Sequence, residues 1–156
     1  MRKKIWLYAK SIIQKCLSLN DISDTFYHTY KKYHLKNRST NLKNQYYFNK
    51  FYKKYHCHVG LDAQIGEGTK FPHPIGIVIG QNVVIGTNCT IYQNVTIGRR
   101  DVNNPQDVPI IGNNVLIGCN SIILGNVEVG NNAKIAAGSI VLRNIKPNET
   151  VSGIVK

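Results

Sequence analysis

From Ile65 onward the chain sets a branched aliphatic residue at every sixth position, first at Ile79, Ile85, Ile91 and Ile97, then at Ile111, Ile117, Ile123, Val129, Ile135 and Val141. Three positions after most of them stands Asn or Gly, at Gly68, Asn82, Asn88, Asn94, Asn114, Asn120, Asn126, Asn132, Gly138 and Asn144. These two residue types tolerate positive φ best, so the pattern predicts a tight corner in every six residues. The residue directly after the aliphatic is usually Gly or another small one, as in Ile79-Gly80, Ile117-Gly118 and Ile135-Ala136. A helix has no six-residue period, and an antiparallel sheet needs longer strands. Short strands meeting at corners stack instead as a β-solenoid with an interior column of Ile and Val, each coil stabilised by the next. About 80 residues of repeat, at three hexads per coil, give roughly four to five coils.

Residues 1–58 follow a different period. Ile5, Tyr8, Ile12 and Cys16 form one helical stripe, Phe26, Tyr30 and Tyr33 a second, and Tyr47, Phe51 and Tyr55 a third. The aromatics are expected to cap the open first coil and hide its edges. The chain therefore divides into a basic, Tyr-rich helical segment over 1–58 and a β-helical domain over 59–156.

Charge sharpens the division. The 156 residues carry a formal charge of +12, but 13 of the 20 Lys and Arg lie before residue 59 against only Asp21 and Asp24, while the remainder is close to balanced. The lysines read as a solvated face or as a patch for anionic membrane surface. Nucleic acid is disfavoured, because no RNA-binding module accompanies them. No apolar run approaches the ~18 residues of a membrane span. The basic opening lacks an uninterrupted apolar stretch and a cleavage site, so it reads as mature protein. Cys16, Cys57, Cys89 and Cys119 form no close pair, which predicts reduced thiols and a cytoplasmic setting.

Two breaks in the repeat draw attention to chemistry. Counting by six from Ile65 reaches Phe71, yet the next clean register starts at Ile79, two residues late. Within Phe71-Pro72-His73-Pro74-Ile75-Gly76 the prolines hold His73 extended and Gly76 lets the backbone return. An imidazole on a rigid wall suits general-base work. The second break runs from Ile97 to Ile111, fourteen residues where twelve would keep register, and extrudes a polar loop at about 99–109. Arg99 and Arg100 at its root are candidates for binding a phosphate or acidic sugar through charge-assisted hydrogen bonds. His56 and His58 are spaced to face one way on a strand, but no third ligand accompanies them and no metal is expected.

The segments Phe71-Pro-His-Pro-Ile-Gly-Ile-Val-Ile-Gly80, Ile91-Tyr-Gln-Asn-Val-Thr-Ile-Gly98 and Ile135-Ala-Ala-Gly-Ser-Ile-Val-Leu142 resemble the hexapeptide-repeat acyltransferases. The resemblance covers roughly 57–154 and points to the branch of serine O-acetyltransferase and the O-acetyltransferases of capsule, O-antigen and exopolysaccharide pathways. It implies a left-handed parallel β-helix assembled as a homotrimer, with acetyl-CoA as donor in a groove between subunits and His73 as the base. Gly98, Cys119 and Ala137 would then follow the pantetheine arm, and Leu142 and Arg143 the nucleotide end. Backbone amides near the bulge would stabilise the oxyanion. The chain departs from serine acetyltransferases at His58 and Pro72, where they carry Asp, and at Val108, where they carry His. Those departures lead to the expectation of a sugar hydroxyl as acceptor in surface-polysaccharide synthesis, with His58, Arg99 and Arg100 on the substrate. Serine acetylation and the transfer of a longer acyl group are the enzymatic alternatives, and a scaffold or a polyanion- or membrane-binding module is the non-enzymatic one.

Overall fold

The computed structural model describes residues 25–31, 52–60 and 62–156. Fourteen strands of two or three residues, all paired in parallel, form three walls of a β-helix. The first wall stacks His58–Val59 (β1), Val78–Ile79 (β3), Thr96–Gly98 (β6), Ile122–Leu124 (β9), Ile140–Val141 (β12) and Ile154–Val155 (β14). The second stacks Gln64–Ile65 (β2), Val84–Ile85 (β4), Ile110–Ile111 (β7) and Glu128–Val129 (β10). The third stacks Thr90–Ile91 (β5), Leu116–Ile117 (β8), Lys134–Ile135 (β11) and Thr150–Val151 (β13), and Lys70 bridges to Thr90 below it, so five levels are present. The expected count of coils and the mainly-β class both hold.

Register explains the hexad. Ile79 pairs with Ile97, Ile97 with Ile123, Ile85 with Ile111, and Ile117 with Ile91 and Ile135, so identical side chains stack in columns at the axis. Those residues are 2% exposed or less. Between coils the backbones lie a single strand spacing apart, about 4.8 Å. A Cβ at Gly118 would stand 2.5 Å from the Ala137 nitrogen, and one at Gly66 2.5 Å from the Gly86 carbonyl carbon. The small residue after each aliphatic is thus a steric demand of the coil above. At the corners Asn82, Asn88, Asn94, Asn114, Asn120 and Asn132 take φ of 56 to 61°, and Gly68 and Gly138 about 70°.

The structure departs from the hexad reading in three places. Asn126 and Asn144 do not take positive φ; Gly125 (φ 93°) turns the chain at the first of these corners, and the second is made without a positive φ, while Asn148 (φ 64°) belongs to the following corner, where its Oδ1 accepts from the Asn132 side chain. β9 runs one residue longer to pair Leu124 with Gly98, which moves the turn to Gly125, and Ile145 bridges Val129 only four residues after Val141, which shortens the corner at Asn144 by two residues. The second break is also larger than expected. Ile97 and Ile111 lie in consecutive strands, β6 and β7, where six residues would keep register, so their separation of fourteen inserts eight. Finally, His56 sits outside β1 with φ 50°, so it does not share a strand face with His58.

A helical stretch over 25–31 and a turn of helix over 52–55 lie against the first coil. The fully buried Phe26 ring is 4.6 Å from Phe71 and 5.1 Å from Tyr55, centroid to centroid. The Tyr30 hydroxyl donates to the Ala63 carbonyl at 2.7 Å, and burial pushes its pKa up to about 12. Lys31 pairs with Glu67 at 2.6 Å. The expected stripes at Ile5, Tyr8, Ile12, Cys16, Tyr33, Tyr47 and Phe51 lie outside the described residues. Among the described residues no helix is long and apolar enough to cross a membrane.

Two substitutions gauge these contacts in denaturant titrations. Ile117→Ala, opening a cavity in the middle of a column, should lower stability by about 2–5 kcal/mol. Tyr30→Phe, which removes only the hydroxyl, should cost about 1 kcal/mol.

Candidate active site on the two edges of the first wall

The two-residue bulge falls where the chain passes from the third wall to the first. Phe71 and Ile77 are fully buried on either side and Pro74 is buried between them, which leaves the His73 side chain exposed on a pinned backbone. The Ile75 N–H donates to the His73 carbonyl at 2.8 Å. The Gly76 N–H donates to the His56 carbonyl at 3.2 Å, and the Asn94 N–H to the Ile75 carbonyl at 2.9 Å. The bulge is therefore bonded on both sides along the axis. Gly76 has φ 65°, and a Cβ there would strike the Asn94 Oδ1, so both conformation and space require glycine.

Above His73, on the same edge, later coils present Tyr92, Cys119 and Ala137 in turn. The Tyr92 ring lies 6.5 Å from the His73 ring. The Asn120 N–H donates to the Gln93 carbonyl at 3.1 Å and the Gly138 N–H to the Cys119 carbonyl at 2.8 Å, which stacks these corners in register. Cys119 is half-buried, whereas Cys57 and Cys89 are buried and burial pushes their thiols up, away from the reactive thiolate. All three are free thiols.

The opposite edge of the first wall carries the remaining candidates. Gly98 pairs with Leu124, and a Cβ on it would meet nothing within 4 Å, so packing does not demand its smallness. Arg99 is half-buried, with its Nε buried and without a hydrogen-bond partner. Arg100 is exposed. Two coils further on, the Leu142 N–H donates to the Val155 carbonyl at 2.9 Å. Arg143 is engaged within the chain, 2.9 Å from the Glu149 carboxylate and 2.7 Å from the Asn144 carbonyl. His58 stands on the wall itself, exposed and paired in register with Val78. The structure thus sorts the candidates between two edges: His73, Cys119 and Ala137 on one, and Gly98, Arg99, Arg100, Leu142 and Arg143 on the other. No group of three His, Cys, Asp or Glu side chains suited to a metal occurs among the described residues.

One residue of the loop escapes sequence reasoning. Asp107, 6% exposed, accepts hydrogen bonds from the Asp101 N–H at 2.7 Å and the Arg100 N–H at 3.0 Å on Oδ2, and from the Asn126 N–H at 2.8 Å on Oδ1. These backbone bonds, that to Asp101 foremost, hold its carboxyl below the usual carboxylate range. The only sequence signal is an acid just before Val108-Pro109, where the loop re-enters the wall.

Comparison with known proteins bears on this architecture. Residues 109–143 match the model described as bacterial transferase hexapeptide (six repeats), and residues 74–100 that of the hexapeptide repeat of succinyl-transferase. Both matched stretches are similar to the hexapeptide repeats of bacterial transferases. The chain is 40% identical over 92 residues to a serine acetyltransferase of Synechococcus elongatus, covering 59% of this chain and 38% of that protein. It is 42% identical over 92 residues to one from Escherichia coli K12, covering 59% and 34%. Soybean serine acetyltransferase apoenzyme superposes with a TM-score of 0.77 at 32% identity, over 82% of this chain and 53% of that one. A serine acetyltransferase of Brucella abortus in complex with coenzyme A gives 0.76 at 32% identity, over 81% and 51%. The fold is the left-handed β-helix of these neighbours. The chain spans about half the length of the solved structures and little more than a third of the curated relatives it matches.

These findings correct one expectation. The similarity lies with serine acetyltransferases and not with the enzymes of capsule or exopolysaccharide synthesis, which overturns the sugar-hydroxyl acceptor. The inference from His58, Pro72 and Val108 fails because missing polar groups show which contacts are lost, not that a larger acceptor is fitted in their place.

The Asp107 bonds make the loop sensitive to acid. Because its folded pKa is depressed, they contribute in full above the unfolded value of about 4 and are lost as pH falls through the folded value. Amide exchange at Asp101 and Asn126, followed downward from pH 5, should accelerate beyond its intrinsic trend only below about pH 4, and Asp107→Ala should remove that step.

Proposed function

We propose that this chain is an acetyl-CoA-dependent O-acetyltransferase that acylates the hydroxyl of serine, as the names of its relatives suggest for them. The observation that carries the reading is the His73 bulge, an exposed imidazole on a backbone fixed by Pro72, Pro74 and bonds to two coils. The 59–156 β-helix is the catalytic domain and 1–58 an accessory segment. Acetyl-CoA supplies the activated acyl group as a thioester. The small residues Gly98, Cys119 and Ala137 fit a close approach of its pantetheine arm, since Gly98 is small where packing does not require it. Leu142 and Arg143 lie toward the nucleotide end, where binding would compete with the Arg143–Glu149 pair. His73 takes the proton of the acceptor hydroxyl as its oxygen attacks, and returns a proton to the departing thiolate.

A trimer completes this site. Beyond His58 at the first coil, the outward positions of the first wall are Val78, Thr96, Ile122, Ile140 and Ile154, a ladder apolar but for Thr96 between the His73 edge and the loop edge. Joining such faces head to tail around a threefold axis sets the His73 edge of one protomer against the Arg99–Arg100 edge of the next. Burying the ladder also removes the exposed area of Val78 and Ile154 from water. The cytoplasm is the setting in which such a trimer would meet acetyl-CoA.

Loss of thioester absorbance on addition of L-serine tests the reading. His73→Ala should lower kcat by about 10²–10⁴-fold with coenzyme A binding and trimer retained. Absence of serine-dependent turnover in the wild-type chain would refute the acceptor. Ile122→Asp, placing a charge in the ladder, should yield monomers on size-exclusion chromatography and abolish turnover; an intact trimer would move the interface elsewhere.

A further inference from the structure

We propose that Asp107 is a positioning residue: by closing the root of the 99–109 loop, its carboxylate holds Arg99 and Arg100 where they meet the acceptor. The inference rests on the acetyltransfer reading above and extends it to a residue that touches neither substrate.

Eight inserted residues between consecutive strands leave a loop whose two ends must be held. The loop's own bonds are local turns: Asn103 N–H to the Asp101 carboxylate at 2.9 Å, Gln106 N–H to Asn104 Oδ1 at 3.0 Å, and Asn104 N–H to the Asp101 carbonyl at 3.3 Å. All of these groups are exposed, and none ties the loop to the β-helix; at its re-entry the backbone does, the Pro109 carbonyl accepting from the Val84 N–H at 3.4 Å. Asp107 does so with both oxygens, binding the two amides that follow Arg99 and, from the next coil, the Asn126 amide.

Its partners show what the carboxylate is for. All three of these bonds come from backbone N–H groups, with the Arg100 charge a lesser influence on the carboxylate, so its oxygens are committed first to chain path. Arg99 leaves a buried Nε donor unpartnered directly beside that path. The two amides that follow Arg99 are the ones Asp107 fixes, so the backbone that carries this buried donor is held in place. Gly125 makes room for the arrangement. With φ 93°, a Cβ there would come within 3.3 Å of Asp107 Oδ1 and 3.6 Å of the Arg100 Cβ.

The test uses the full chain with Asp107→Ala, Asp107→Asn, Arg99→Ala and the Asp107→Ala/Arg99→Ala double variant. Kinetics with L-serine and acetyl-CoA, thermal melting and amide exchange are measured for each. Asp107→Ala should raise the KM for serine about tenfold, the equivalent of one charge-assisted hydrogen bond, and leave that for acetyl-CoA within about twofold. Exchange should quicken at 100–101 and 126 with the melting temperature unchanged. Asp107→Asn, which keeps one acceptor oxygen, should fall between, and the double variant should be no worse than the more damaging single one.

Additive losses in the double variant, or an unchanged serine KM alongside faster loop exchange, would overturn the positioning role. So would a melting temperature that drops together with both KM values, since Asp107 would then be a structural residue of the β-helix. If the wild-type chain does not turn over serine, the acceptor reading fails separately and exchange decides. Protection at 100–101 and 126 that Asp107→Ala abolishes upholds the hold on the loop root, and unchanged exchange refutes it.

Discussion

The structure depends on the distance between successive coils. One strand spacing separates their backbones, and at the position after each core aliphatic that gap leaves no room for a Cβ, as the 2.5 Å approach at Gly118 shows. Once the coils are so close, each corner must turn within a few residues, and Asn or Gly in the left-handed region does so at least cost. The aliphatic columns follow from the same spacing, because register places Ile97 over Ile79 and under Ile123 with no freedom to slip. The repeat, its corners and its core are one constraint seen at three positions of the hexad.

Insertion is how such a rigid body acquires chemistry. A solenoid coil tolerates extra residues only where the chain changes walls, and the two insertions fall at the two ends of strands in the first wall, at 71–77 and 99–109. The first is short, proline-stiffened and bonded to two coils, which suits a group whose direction matters. The second is long and polar, held at its root by a buried carboxylate, which suits contact with a charged substrate. Their placement on opposite edges of one apolar face means that neither edge alone has both parts. That is a physical reason for the site to be assembled between protomers.

The aromatic contacts at the first coil answer a different problem. An uncovered terminal coil exposes both its core column and its unpaired backbone groups. Phe26 covers the column by packing on Phe71, while Tyr30 satisfies the Ala63 carbonyl. Burial at this contact raises the pKa of the Tyr30 hydroxyl, because the charged form would lose its hydration.

The sequence alone foretells the β-helix, its coil count, most corner positions and the His73 bulge, because each is a local requirement repeated or broken at fixed spacing. It misjudged the second insertion, since Ile97 and Ile111 look alike whether they are one strand apart or two, and only the pairing of β6 and β7 with their neighbours tells. It assigned positive-φ turns to Asn126 and Asn144 on residue type alone, whereas the longer β9 moved the first to Gly125 and the short step from Val141 to Ile145 made the second without one. The departures at His58, Pro72 and Val108 were legible, but the acceptor was not, because loss of a contact does not specify what replaces it. Asp107 and the sorting of the candidate residues onto two edges were decided by tertiary structure alone. Both arise from contacts between coils whose residues lie some twenty positions apart in the chain, as Asp107 and Asn126 do, and no local pattern encodes them.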